Sequence, residues 1–536
     1  MRWTTGAPRV RAAVERWLAG SPDAAGAEVL RDNPRRRIVR IPGPDGETWL
    51  VKHFRVGSGR HALRERIKAR LGLAPADREW RALARLHALG VAVPEPLALG
   101  TLPDGDRVLV ERFVPGPLLA AALEGPPAEH RKTLESLGVA VASLHAAGFA
   151  HGDLHHGNVL VTHRGPVLLD LQHARARAGA RRRLRDLGHL DHALSEIVSR
   201  ADRARVHAAA LGATRPFAAE ARAALRRVAA AGHARAFEHA RSRTRRSLRA
   251  GRAYAEFRCA GRSGLRCSDV EAADLDEALA RHAAALAYDP ASATAPGAPS
   301  DPVAFSVLKR DARSRITAVR VGERRIVVKE HLARGRGHAL ADLFRGSPAW
   351  RAWRGGHGLR ARGIGAARPL AYLERRSLGI VRASVIVLED VRPAWPADHT
   401  DPPVAPAEVV RTLGRLVATL HRLGVDHGDL KASHVLLEAQ AGPAPGMRSI
   451  ATRLIDLEGV RFARRLSDRR RLRALAQLNA SLPDVYPAPA RSRAFADYVR
   501  ALPFEGPAED ALALVVRESL ARRHRWTGAD CGRPPK

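Results

Sequence analysis

The stretch whose reading decides the fold is His151-Gly152-Asp153-Leu154-His155-His156-Gly157-Asn158-Val159-Leu160, followed by Leu168-Leu169-Asp170. It reads as a tight loop between two apolar runs that presents two carboxylates and a carboxamide at set intervals. Asn158 lies five residues after Asp153, and Asp170 twelve after Asn158. A phosphoryl-transfer site needs this arrangement. One Asp orients and deprotonates the acceptor hydroxyl, while an Asn and a second Asp hold the metal that carries the nucleotide phosphates.

The outline recurs as His427-Gly428-Asp429-Leu430-Lys431-Ala432-Ser433-His434-Val435-Leu436, with Leu454-Ile455-Asp456 behind it. Leu144–Asp153 matches Leu420–Asp429 at an offset of 276. Upstream of each loop a lysine ends an apolar run, Lys52 in Leu50-Val51-Lys52 and Lys329 in Ile326-Val327-Val328-Lys329. Lys52 precedes Asp153 by 101 residues and Lys329 precedes Asp429 by 100. The period is a whole domain, so this is a tandem duplication and not a solenoid.

Composition bounds the rest. A chain of 536 residues is too long for one ordinary core. Three cysteines form no disulfide or zinc pattern, which suits a reducing, cytoplasmic compartment. The first residues lack the apolar core of a signal peptide, and no apolar run reaches transmembrane length. The net charge of +35, with a pI near 11.5, favours anionic partners such as lipid headgroups or phosphorylated glycolipid. An Ala/Arg-rich composition with solvated helix faces accounts for the same charge. Nucleic acid is not expected as a partner, because no aromatic residues interleave with the basic ones.

In chain order, residues 1–25 read as a basic amphipathic helix, with Val10, Val14, Trp17 and Leu18 on one face. It packs on the adjoining domain or lies on a membrane surface. Strands are expected at Ala27–Arg31, Arg37–Ile41 and Thr48–Phe54, then a helix over Ala76–Leu89 carrying Glu79. Arg107–Glu111 reads as a buried strand entering the linker between two lobes, where Glu111 and its backbone face a nucleotide. A helix at 129–147 delivers the chain into the loop. After Asp170, a basic helical region runs to about 250. The domains are therefore expected as 26–235 and 303–536, with 236–302 a helical or irregular connector. In the second copy, strands are expected at Phe305–Lys309, Ile316–Val321 and Arg325–Lys329.

The order of strand lysine, helix glutamate, LHxxGxxHGDxxxxN and LLD resembles the protein-kinase-like fold. Within it, the chain resembles the bacterial lipopolysaccharide core kinases that phosphorylate Kdo or heptose. Ser347-Pro348-Ala349-Trp350-Arg351-Ala352-Trp353, Arg362-Gly363-Ile364 and Leu454–Phe462 carry that likeness in the second copy. The resemblance implies an α+β fold of two tandem domains, each with a small β-rich lobe and a mainly helical lobe. It implies ATP and magnesium as cofactors, and as acceptor a sugar hydroxyl on a lipid-linked glycan at the inner face of the membrane. Lys52 would pair with Glu79 and hold phosphates, Asp153 would be the base, and Asn158 and Asp170 the metal ligands. His151 would brace the loop, with Asp186 anchoring it from the helix below. Neither copy has a glycine-rich loop. Arg35 and Arg36 stand in its place and could clamp phosphate by charge.

The second copy departs in three places: His434 replaces the Asn, Ala352 aligns with Glu79, and Ala474 with Asp186. Lys329, Asp429 and Asp456 survive, as phosphate-binding, catalytic and metal-binding candidates. A weak or regulatory second domain is the expectation. The alternatives are a small-molecule or protein kinase, and a pseudokinase scaffold that binds nucleotide or anionic lipid.

Overall fold

A computed structural model describes residues 1–19, 26–43, 46–57, 67–69, 71–124, 127–213, 219–288, 305–332, 336–441 and 448–528. The chain forms two compact units, Met1–Ala236 and Phe237–Lys536, each a small antiparallel-sheet lobe followed by a mainly helical lobe.

The sheet of the first unit comprises β1 (Arg2–Gly6), β2 (Glu28–Asn33), β3 (Arg36–Pro42), β4 (Thr48–Phe54), β5 (Pro96–Thr101) and β6 (Arg107–Arg112). Their spatial order is β1-β5-β6-β4-β3-β2. Successive strand residues point to opposite faces, so β4 sends Trp49 and Val51 to one side and Lys52 and Phe54 to the other. Val10, Val14 and Trp17 of the helix Pro8–Ala19 cover the first side. The amphipathic stripe expected at the N-terminus is therefore spent on this sheet. The expectation of one helix over 1–25 is corrected: Arg2–Gly6 pairs antiparallel with β5 as an edge strand, and residues 20–25 lie outside the described set.

The helix Pro75–Ala88 covers the other face. Its Leu83 and Leu86 join Phe54 and Leu109 to Leu137, Leu144, Leu154, Leu168 and Leu187 in one core that runs from sheet to helical lobe. That continuity sets the loop 151–158 directly beneath β4. The helical lobe is built from Pro127–Ala146, the hairpin β7 (Val159–Thr162) and β8 (Gly165–Leu168), and the helices Ala180–Leu194 and Arg200–Ala210.

The second unit repeats the plan with β9 (Tyr254–Cys259), β10 (Arg262–Cys267), β11 (Phe305–Arg310), β12 (Ser314–Val321), β13 (Arg324–His331), β14 (Pro369–Ser377) and β15 (Ile380–Glu389). The order β11-β12-β13-β15-β14 reproduces β2-β3-β4-β6-β5, and β10 pairs with β14 as β1 does with β5. The described part of the expected connector, residues 237–288, is thus part of the second unit and not a mere connector. Its hairpin turns at Ala260 and Gly261, both with positive φ, the type I′ geometry that matches strand twist. Phe257, Leu265, Val270, Leu275 and Ala278 are buried in the same core as Val328, Trp353 and Leu413. Residues 289–302 of that expected connector lie outside the described residues. No described helix is long and apolar enough to cross a membrane.

Candidate active site

The loop at 151–158 is held by groups the sequence places far from it. Asp186, on the helix Ala180–Leu194, accepts hydrogen bonds from the backbone N–H of His151 (2.5 Å) and Gly152 (2.9 Å). His151 is buried, and its Nε2 meets the carbonyl of Leu169 at 2.9 Å, tying the loop to the Asp170 segment. Burial keeps its imidazole below the usual histidine range, against the raising fields of Asp186, Asp153 and Asp170. Gly152 has φ of 82° and Gly428 φ of 80°, and a Cβ at either would run into the carbonyl of His173 or Gly459. The loop therefore requires glycine twice over.

Asn158 donates from Nδ2 to the Asp153 carbonyl at 3.0 Å, which leaves its Oδ1 as an acceptor. Asp170 has φ 57° and ψ 58°, a left-handed conformation rare outside glycine, and Asp456 has the same pair of angles. The Asp153 side chain is 41% exposed, with His155 Nε2 3.8 Å away. It is open to solvent.

Lys52 is buried, with Nζ 2.6 Å from Glu79 and 2.5 Å from Glu111. Burial alone would discharge the ammonium, but the fields of Glu111 and Glu79 outweigh it and hold the pKa above the usual lysine range. Two carboxylates share one cation. Glu79, wholly buried and facing Glu111 and Asp170 as well, is pushed up to about 7. The expectation that Glu111 faces the nucleotide from the interlobe linker is corrected: its side chain is the lysine's second partner, and its backbone lies opposite Leu50 in the sheet.

Arg36 is the residue whose position the sequence left open. It reaches both oxygens of Asp170, at 3.2 and 3.1 Å. Burial works against the charge on Asp170, but Arg36, with Lys52 and His151 behind it, holds the carboxyl below its usual range. The turn that carries Arg36 is pinned by Asn33 Oδ1, which accepts from the N–H of Arg35 and Arg36. Asp311 does the same for Arg313 and Ser314 in the second unit, so Ser314 occupies the place of Arg36.

That difference propagates through the second site. Ala352 stands four residues into its helix from Pro348, as Glu79 does from Pro75, and Leu388 holds the register position of Glu111. Lys329 has neither carboxylate beside it, and its Nζ turns to Asp456 (2.6 Å) and Glu458 (2.5 Å). Glu458 was not singled out from the sequence; its signal was adjacency to Asp456. Ala474 supplies no anchor, but Asp426 accepts from the N–H of Gly428 at 3.0 Å and Ser481 Oγ from that of Ala432 at 2.8 Å. Asp429 is engaged by Lys431 at 3.0 Å and by Gln477, whereas among the described residues Asp153 has no comparable cation on it.

A bilobal unit with a carboxylate-clamped strand lysine above an HGD loop defines the kinase class, and the chain has two such units. The model of the lipopolysaccharide kinase (Kdo/WaaP) family matches residues 24–209 and again 315–498, together more than half the chain, and the chain belongs to that family. It is 28% identical over 185 residues to the lipopolysaccharide core heptose(I) kinase WaaP of Pseudomonas aeruginosa, a match spanning 31% of this chain and 68% of that protein. It is also 32% identical over 109 residues to the KEOPS complex subunit Bud32 of Pyrococcus abyssi, covering 18% of this chain and about half (48%) of that relative. Among solved structures, it is similar to WaaP in complex with acyl carrier protein, at 23% identity over 40% of this chain and 88% of that one, with a TM-score of 0.31. A second is the amicoumacin kinase hAmiN in complex with AMP-PNP, Ca2+ and Ami, at 12% identity over 44% and 86%, with a TM-score of 0.31.

Proposed function

We propose that the first domain transfers the terminal phosphoryl group of ATP to a sugar hydroxyl of lipopolysaccharide core or a related lipid-linked glycan. The observation that carries this is a loop bearing Asp153 and Asn158, tied through His151 to the Asp170 segment, with the clamped Lys52 acting on Asp170 by its field, in a chain of this family. Asp153 orients the acceptor hydroxyl and takes its proton. Lys52, fixed by Glu79 and Glu111, holds the nucleotide phosphates. His151 braces the loop without touching substrate. Asn158 Oδ1 and the Asp170 carboxylate are hard oxygen donors of the kind magnesium prefers, and they would hold it. When bound, that ion neutralises charge on the phosphates. Arg36, which holds both oxygens of Asp170, would supply a cation to the phosphates where that carboxylate takes the metal.

The basic surface suits an anionic acceptor and peripheral attachment to the inner face of the membrane. The second domain is read as weak or regulatory, on the engagement of Asp429 by Lys431 and Gln477. The test compares ATP turnover of Asp153→Asn and Asp429→Asn: loss in the first alone supports this division, and loss in the second alone reverses it. Loss in neither favours a scaffold that binds nucleotide or anionic lipid. Mass spectrometry of lipopolysaccharide from a deletion strain tests the acceptor, since an unchanged core would remove the glycolipid assignment.

A further inference from the structure

The second site differs from the first in one ligand atom, and the geometry around that atom is specific. His434 Nδ1 lies 2.9 Å from the carbonyl of Asp429, the carbonyl equivalent to the one that receives Asn158 Nδ2 at 3.0 Å. The imidazole therefore stands in the pose of the carboxamide, on the same backbone acceptor. Nδ1 must carry the proton to make this bond, so the lone pair is on Nε2. A backbone carbonyl on the far nitrogen is the usual way a protein fixes the tautomer of a metal-binding histidine.

Nε2 points at Asp456. The two atoms, Nε2 and Oδ2, are 3.7 Å apart, too far for a hydrogen bond and within the span that two ligands of one ion bridge at about 2.0–2.2 Å each. Asp456 keeps Oδ2 on this side because Lys329 engages the other oxygen, Oδ1. Asp429, His434 and Asp456 each offer an atom within 4.8 Å of the others. The Asp429 oxygens already accept from Lys431 and Gln477, which leaves His434 Nε2 and Asp456 Oδ2 as the two unengaged ligand atoms of the cluster. In the first site, both side-chain ligands offer oxygen.

We propose that the second domain binds a first-row transition divalent cation, of the Mn2+ to Zn2+ series, through His434 Nε2 and Asp456 Oδ2, in preference to Mg2+. Magnesium takes hard oxygen ligands in near-ideal octahedral geometry, whereas imidazole suits the softer transition ions. The replacement of Asn by His thus changes the ion the site selects without removing the site. The consequence is one chain with two kinase-like sites of different metal preference. The proposal rests on the two-site reading but not on which site is catalytic, so it can fail while the assignment of catalysis to Asp153 stands, and the reverse.

The test uses the full chain carrying Asp170→Asn, which removes a ligand from the first site. Titration calorimetry with Mn2+, Zn2+ and Mg2+ separately, in the presence of AMP-PNP, should give one site at least tenfold tighter for Mn2+ and Zn2+ than for Mg2+. Adding His434→Asn, the residue the first site uses there, should cut the preference to threefold or less. The nitrogen coupling seen by pulsed EPR on bound Mn2+ should disappear with it. Asp456→Asn should abolish binding with the melting temperature retained. Equal affinity for Mg2+ and Mn2+ before the His434 change would overturn the proposal. So would selectivity or nitrogen coupling that survives it. Absence of any cation site would leave only an imidazole–carboxylate contact and overturn it equally.

Discussion

At the scale of single residues, the cluster Glu79–Lys52–Glu111 is the most consequential. A lone buried ammonium would be costly, and so would either carboxylate, but the three together satisfy one another. Lys52→Met should therefore lower the stability of the first domain by about 3–5 kcal/mol in denaturant melts, because it leaves two buried carboxylates facing each other. Combining it with Glu79→Gln and Glu111→Gln should restore most of the loss without restoring ATP turnover. Arg36 allows a second prediction. Since it covers both oxygens of Asp170, Arg36→Ala should strengthen binding of Mg2+ alone by several-fold. The same change should weaken nucleotide binding in the presence of the metal, read by calorimetry at physiological salt. An unchanged affinity for both would exclude Arg36 as a phosphate clamp.

At the scale of elements, the two loops show one backbone solution anchored in two ways. Asp186 reaches up from a helix to two consecutive N–H groups, whereas Asp426 does the work locally for Gly428. Asp186→Ala should cost about 2–3 kcal/mol, the range for losing charged hydrogen bonds from buried donors, and should abolish turnover by Asp153. Asp426→Ala, at a more exposed bond, should cost less in the same melt. The hairpin β9–β10 is the element least legible in the sequence. Its alternation of Phe257, Leu265 and Cys267 is present but short, and an Ala/Arg-rich background on both sides hides it. A fragment starting at 303 lacks the strand that covers the edge of β14 and the buried Leu275 and Ala278. It should aggregate on expression, while a fragment of 237–536 should give a cooperative melt.

At the scale of the whole molecule, both units bury histidines, and burial holds His151 of the first below the usual range. The second carries His357 and His421, both neutral in the folded state. Burial is the main cause, aided by Arg360 and Arg368 for the first and Arg471 for the second, and each is pushed down to about 3. A depressed folded pKa means the unfolded chain takes up protons first. Stability from these residues is thus complete above about 6.5 and is lost as pH falls toward about 3. Each should remove about 1.4 kcal/mol per pH unit across that window. Chemical denaturation of the 237–536 fragment between pH 7 and 5 should show this fall. His421→Gln, which keeps a polar partner for Tyr498, should lessen the slope.

What the sequence determined by itself was whatever depends on local spacing. The HGDxxxxN loop, the Asp twelve residues on, the strand lysines and the duplication are all set by short-range patterns, because turns and strand alternation are decided by neighbours. The strands at 28–54 and 305–331 and the helix bearing Glu79 were legible for the same reason. Beyond the Lys52–Glu79 pair, which the family resemblance implied, the tertiary structure alone decided which charges meet. Glu111 turns to Lys52, Arg36 spans 134 residues to Asp170, and Lys329 leaves its own sheet for Asp456 and Glu458. Such pairings depend on which carboxylate is within reach once burial has removed water, and nothing in the one-dimensional pattern encodes that distance. His434 belongs to both. Its identity was plain in the chain, but only the bond to the Asp429 carbonyl shows that it occupies the place of the missing Asn.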